Sequence, residues 1–229
     1  WPQEGQVTVL LIPRIVARRS CGACCSLAEK YRIWDMTRPN IEPHRLELRI
    51  PRSEMNSHYQ RIASEIGYDY LGKTMSWVTI EEGATHFRDM LLLYLLGQSE
   101  APKLIVHDSM KVESYGDKTE SNHNPKIVTP LSRPLETVYQ KDVLVVEDMS
   151  DTGLSLVRCI LPYLLAYEPK SLNVAVMLTN DERCEVPPGD LRLKYRGPNV
   201  SFYAAGEGLD AAKRYRKKQG IYEVVWEKN

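Results

Sequence analysis

The sequence predicts an α/β fold, a mostly parallel twisted sheet flanked by helices, and three observations carry that expectation. Short apolar runs at Met75–Ile80, Val143–Val146 and Leu172–Leu178 alternate with helical patterns at Ser53–Gly67, Thr85–Leu96 and Leu154–Ala166. Strands that alternate with helices pair in parallel, because each connection must cross back over the sheet. Val143–Val146 is apolar at every position, as in a strand covered on both faces. The 229-residue chain is 43% hydrophobic, enough to bury a core without disulfide staples.

The sequence divides into an N-terminal extension, 1–43, and a folded domain, 44–229. It opens on Trp1 rather than Met, the expected start of a processed or partial chain. Between Gly5 and Ala28 there is no acidic residue, whereas Arg14, Arg18 and Arg19 are present. That composition reads either as the remains of a mitochondrial targeting region or as a basic arm that packs on a neighbour, with the cytoplasm as the alternative location. The arm also carries Cys21, Cys24 and Cys25. A Cys-x-x-Cys ligates zinc or runs redox chemistry in other settings, but no second pair follows at zinc-ribbon spacing. Cys159 and Cys184 stand alone and read as buried small thiols in a reducing compartment. The five His are scattered, so no His or Cys metal site is expected.

Pro39, Pro43 and Pro51 mark a linker or edge-strand region. Ser53–Gly67 then reads as a helix with Ser53 as N-cap and Tyr59, Ile62, Ala63 and Ile66 on one face. Met75–Ile80 is a strand, Thr85–Leu96 a helix built on Phe87, Met90, Leu91, Tyr94 and Leu95, and Lys103–His107 a strand. Gly116–Pro134 is polar and aperiodic and reads as a long mobile loop, a length that usually signals function. Lys213, Arg214, Arg216, Lys217 and Lys218 form a basic run that reads as a solvated face or, alternatively, a partner contact.

Charge excludes some classes of function. Thirty Lys and Arg balance thirty Asp and Glu, so bulk electrostatic capture of nucleic acid or membrane is not expected. No apolar run approaches the roughly 20 residues of a membrane-spanning helix.

Chemistry concentrates in Val143-Leu-Val-Val-Glu-Asp-Met-Ser-Asp-Thr-Gly-Leu-Ser155. A buried strand delivers two adjacent carboxylates, Glu147 and Asp148, to its carboxyl end. A turn with Asp151, Thr152, Gly153 and Ser155 then opens a helix. Backbone N–H groups at a helix N-terminus favour an anion, Gly153 permits close approach, and the two hydroxyls donate to phosphate oxygens. The paired carboxylates suit ribose hydroxyls that also hold Mg²⁺. Asp151 stands where it could take a proton from a purine ring nitrogen. The plain alternative is a strand–turn–helix whose acids are solvated caps.

This segment resembles the phosphoribosyl pyrophosphate (PRPP) binding motif of type I phosphoribosyltransferases, specifically the hypoxanthine-guanine kind. Further matches follow in order over residues 44–229. Ser114-Tyr115-Gly116 resembles the start of the flexible loop that closes over the active site. Tyr203-Ala-Ala-Gly-Glu-Gly-Leu-Asp210 resembles the segment whose aromatic residue stacks on the purine and whose Asp helps hold magnesium. Arg216 falls at a pyrophosphate-binding Arg, and Gly72-Lys73 fits the layout before the first core strand. The resemblance implies the type I fold with a small hood, with Mg²⁺ held through Glu147, Asp148 and Asp210 and with PRPP or a nucleoside monophosphate as ligand.

Two positions depart from the family pattern. Where the family has a Leu-Lys-Gly-Gly type loop that meets pyrophosphate, this chain reads Ile80-Glu81-Glu82-Gly83. At ~4 Å and an effective dielectric constant near 20, each unit charge pair is worth about 4 kcal/mol, so the reversal opposes a polyanion. Where the family places a Lys on the purine 6-oxo group, this chain has Asn180, which brings a hydrogen bond but no charge. The expectation is therefore a phosphoribosyltransferase-like domain that has lost catalysis. It would serve as a nucleotide-binding or structural subunit of a larger assembly, with protein partners. The alternative is an active hypoxanthine or guanine phosphoribosyltransferase of purine salvage.

Overall fold

Alternating strands and helices close into a sheet whose neighbours run in one direction except at one edge. The computed structural model describes residues 44–115, 121–187, 189–211 and 213–226. In chain order the elements are β1 (His44–Ile50), α1 (Arg52–Asp69), β2 (Thr74–Glu81), α2 (Ala84–Leu96), β3 (Leu104–Tyr115) and β4 (Ser121–Thr129). Next come α3 (Pro134–Thr137), β5 (Asp142–Ser150), and a π-helical turn (Leu156–Ile160) running into α4 (Leu161–Leu165). The chain finishes with β6 (Ser171–Thr179), β7 (Leu193–Arg196), β8 (Ala204–Ala205) and β9 (Ile221–Trp226).

The main sheet has the order β4-β3-β2-β5-β6-β7. All its pairs are parallel except β3 with β4. Val78 lies opposite Asp108 on one side and Val145 on the other, and Val145 lies opposite Val174. This shared level brings the carboxyl ends of β2, β5 and β6 to one edge, where open parallel sheets bind ligands. A second, antiparallel sheet of β1, β9 and β8 forms the hood.

The apolar run in β5 is buried on both sides, as its composition requires. Leu144 and Val146 pack with Trp77, Phe87, Leu91 and the α1 residues Met55, Tyr59, Ile62 and Ile66. Val143 and Val145 face the other layer, with Val78, Val174, Leu156, Ile160 and Leu164. Period-two alternation along each strand thus feeds two cores.

Several local expectations need correction. Gly116–Pro134 is not one long loop: Ser121–Thr129 forms β4, with Ile127 opposite Val112 on β3. An edge strand has one neighbour and solvent beyond it, so it tolerates Pro125 and shows little apolar alternation. The expected strand Lys103–His107 continues to Tyr115 because β4 pairs with its second half. Of the linker or edge-strand alternatives for the proline-bearing stretch, 44–50 is a strand, paired with β9. Pro51, not Ser53, caps α1, its carbonyl accepting from the N–H groups of Glu54 and Met55 at 3.0 and 3.1 Å. The helix expected over Leu154–Ala166 carries a π-helical turn just ahead of Pro162. Proline donates no N–H and its ring crowds the preceding turn, so the wider turn relieves the clash. Cys159 and Cys184 are half-buried rather than buried; beside Cys159, Leu156 and Ile160 take the buried positions of the turn. Cys21, Cys24, Cys25 and the basic arm lie outside the described residues.

Leu144 is fully buried in the central strand. Leu144→Ala should cost about 2–5 kcal/mol, read as a lower denaturant midpoint with an unchanged slope.

Candidate active site

A cavity of about 290 Å³ opens at the shared strand edge. The loop after β2 contributes Glu81, Glu82 and Gly83 to its wall; β5 and its turn contribute Glu147, Asp148, Asp151, Thr152, Gly153 and Ser155. Tyr203, Asp210 and Arg216 reach it from the hood, and Arg183 from the loop after β6. Segments separated by more than 130 residues in sequence therefore meet at one place.

The turn after β5 depends on its glycine. Gly153 has φ of +77°, and a Cβ there would lie 2.8 Å from a Leu191 methyl. Thr152 Oγ1 accepts from the Leu154 N–H at 3.4 Å, and the first helical bond runs from the Val157 N–H to the Gly153 carbonyl at 3.2 Å. The turn thus presents a helix N-terminus to the cavity, an anion-favouring arrangement. Gly83 is constrained differently: a Cβ there would stand 1.5 Å from Asp148 Oδ2. Any side chain at this position would require the Asp148 carboxylate to move.

Burial, and then the charge of Asp148 beside it, push the Glu147 carboxyl well above the usual range. Two such acids side by side call for hydroxyl donors or a cation. Among the described residues no three His, Cys, Asp or Glu converge as a cage. Magnesium needs no cage: it takes one or two carboxylates, keeps waters and completes its shell with ligand oxygens. The hard-oxygen set Glu147, Asp148 and Asp210 fits that mode.

Burial raises the Asp151 carboxyl above its usual range, although Arg183 and Asn180 pull it part of the way back. The Arg183 guanidinium is 3.1 Å from Asp151 Oδ2, and Asn180 Nδ2 donates to Oδ1 at 3.2 Å. Asn180 itself is buried and is not part of the cavity wall. Tyr203 is half-exposed, with Trp226 edge-on at 6.2 Å between ring centroids, so its ring is open to the cavity rather than core.

The charge reversal read from the sequence stands on the cavity wall. Glu82 does not point away into solvent alone: its carboxylate is 3.4 Å from Lys111 Nζ and 3.9 Å from Arg216. Arg216 is also 2.6 Å from Asp210 Oδ1 and donates to the Gly208 carbonyl at 2.7 Å. Ser114 and Tyr115 end β3, but their side chains and residues 116–120 lie outside the described residues. Gly72 and Lys73 precede β2, at the end opposite the cavity, and bring nothing to it.

Sequence reasoning missed Glu207. Its side chain is fully buried, paired with Arg52, 2.6 Å from His86 Nε2, and it accepts from the Tyr59 hydroxyl at 3.1 Å. It also accepts from the Gly220 N–H. The flanking Gly206 and Gly208 both have φ of +104°, and Gly208 lies directly on the Gly83 carbonyl. Glu207 thereby ties the hood loop carrying Asp210 to α1 and α2. An acid isolated between glycines in an apolar stretch was its only local signal.

Burial pushes the Glu207 pKa up, but hydrogen bonds from His86, Arg52 and the Gly220 N–H win, leaving it at about 2 against 4.5 in an unfolded chain. A depressed folded-state pKa gives stability that is complete above 4.5 and is lost as pH falls through about 2. At roughly 1.4 kcal/mol per unit the contribution is about 3 kcal/mol. Glu207→Gln should lose that amount at neutral pH and flatten the acid limb of a urea-midpoint profile between pH 5 and 2 (~).

Residues 52–203 match the family model for the phosphoribosyl transferase domain. The chain is 30% identical over 185 residues to the hypoxanthine phosphoribosyltransferase of Salmonella typhimurium, covering 80% of this chain and 97% of that protein. A crystal structure of hypoxanthine phosphoribosyltransferase from Staphylococcus aureus superposes with a TM-score of 0.66 at 26% identity, over 78% of this chain and 90% of that one. One from Trypanosoma cruzi, at 22% identity, shares the fold with a TM-score of 0.67 over 82% of this chain and 95% of its own. The matched domain, the near-full-length coverage of the relative and the shared fold agree, and the chain belongs to the type I phosphoribosyltransferase family, among its hypoxanthine-guanine members.

Proposed function

We propose that the cavity joins hypoxanthine or guanine to the ribose of PRPP, forming a nucleoside monophosphate and releasing pyrophosphate. The observation that carries this is the convergence of the Glu147–Ser155 turn, Tyr203, Asp210 and Arg216 on one cavity. The helix N-terminus at Thr152–Ser155 holds the 5-phosphate, and Glu147 and Asp148 accept from the ribose hydroxyls. The base lies against Tyr203. As its N9 attacks C1′ and the bond to pyrophosphate breaks, Asp151 takes the proton from N7. Arg216 faces the departing pyrophosphate. Bound Mg²⁺ supplies neutralisation of the charge that develops on that leaving group.

Pairing of Glu82 with Lys111 and Arg216 supports this reading, because it offsets part of the charge reversal. The same two glutamates support a second reading, a subunit that holds a nucleoside monophosphate without turnover. Its placement in a mitochondrial assembly rests on the composition of residues 1–43 alone.

Purified protein with Mg²⁺, PRPP and either base should turn over at roughly 1 per second or faster. Chelation of the metal should abolish that rate. Asp151→Asn should lower kcat by roughly 10²- to 10⁴-fold while nucleotide binding persists. Glu82→Lys should lower KM for PRPP at least tenfold (~), since it removes a negative charge and frees Arg216. Folded wild-type protein that binds guanosine monophosphate yet never turns over would replace the first reading with the second.

A further inference from the structure

We propose that Arg183 reads the 6-position of the bound purine, taking over the contact that the family pattern assigns to position 180, and that it selects 6-oxo over 6-amino bases. The proposal rests on the purine-binding reading of the cavity and adds to it the residue that sets base choice.

The Asn180 amide is engaged with Asp151 and within its own loop rather than with the open cavity. Its Nδ2 donates to Asp151 Oδ1, its Oδ1 accepts from the Arg183 N–H at 3.3 Å, and its own N–H donates to the Ser150 carbonyl at 2.9 Å. The side chain is buried and stands off the cavity wall. What Asn180 does is anchor a tight turn, closed by the Arg183 N–H on the Asn180 carbonyl at 3.3 Å. That turn delivers the residue three positions on. The Arg183 side chain lines the cavity, is 56% exposed and lies 3.1 Å from Asp151 Oδ2. The cation absent at 180 is therefore present in the same cavity, carried on the same loop.

Its pairing with Asp151 makes this more than a nearby charge. A guanidinium carries five N–H donors and no acceptor, so one side satisfies Asp151 while others remain for a ligand. Acceptor and donor then stand next to each other. A 6-oxopurine, as free base or nucleotide, offers the guanidinium an acceptor at O6, and a free base protonated on N7 also offers Asp151 a donor. A 6-aminopurine places its amine donor against the guanidinium, where two donors face each other and one is left unpaired. A polar group left unpaired in a site built for a hydrogen bond is the strongest form of rejection available to a small pocket.

Equilibrium titration with inosine and adenosine monophosphates tests this on the intact protein, with or without turnover. Wild type should prefer the inosine nucleotide. Arg183→Ala should weaken it roughly 10- to 100-fold, leave the adenosine nucleotide within about threefold, and so erase the preference; Arg183→Lys should restore most of it. Equal weakening of both nucleotides would reduce Arg183 to a support for Asp151 and overturn the proposal, as would an unchanged preference in Arg183→Ala or none in wild type. Parallel assays with hypoxanthine and adenine separate the two claims. An Arg183-dependent preference without turnover keeps the proposal and removes the catalytic reading. Turnover whose base preference ignores Arg183 does the reverse.

Discussion

Parallel pairing of β2, β5 and β6 in a common register is the constraint on which the rest of the molecule depends. Because Val78, Val145 and Val174 stand at one level, the three strands run out toward one edge and their following loops start there. The sheet is held at that level by apolar layers on both faces. A one-residue slip of β5 would exchange Val143 and Val145 with Leu144 and Val146 between those layers. It would also turn Glu147 away from the cavity. Core packing and site geometry are therefore one property.

The hood is held over that edge by different physics. Glu207 is an ionised group in a dry place, and a buried charge persists only when its partners repay desolvation. Arg52, His86, Tyr59 and the Gly220 N–H together do so, and they belong to α1, α2 and the hood itself. Such a cluster is specific in a way apolar contact is not, because each donor must arrive in place. It sets where Asp210 and Arg216 stand relative to Asp148.

Within the cavity, carboxylates outnumber guanidiniums: Glu81, Glu82, Glu147, Asp148, Asp151 and Asp210 against Arg183 and Arg216. Each Arg is tied to an acid, Arg183 to Asp151 and Arg216 to Asp210. An anionic ligand entering such a site needs a helix N-terminus, a divalent cation and released guanidiniums. The first is built into the turn at Gly153, and the hard-oxygen set suits the second.

Much of this was legible in the chain. The β5 run, apolar throughout, read as a strand covered on both faces, and the turn and glycine after it read as the opening of a helix; both are there. These signals are local: each depends on residues within about ten positions. The β4 strand was not legible, since an edge strand facing solvent needs no apolar alternation. Glu207 had no readable role because its partners Arg52 and His86 lie 155 and 121 residues away. That Asn180 is buried off the cavity wall while Arg183 lines it was hidden for a different reason, the local path of the loop after β6. A sequence shows which donor is missing, but only the path of the backbone decides which side chain reaches the space it would have filled.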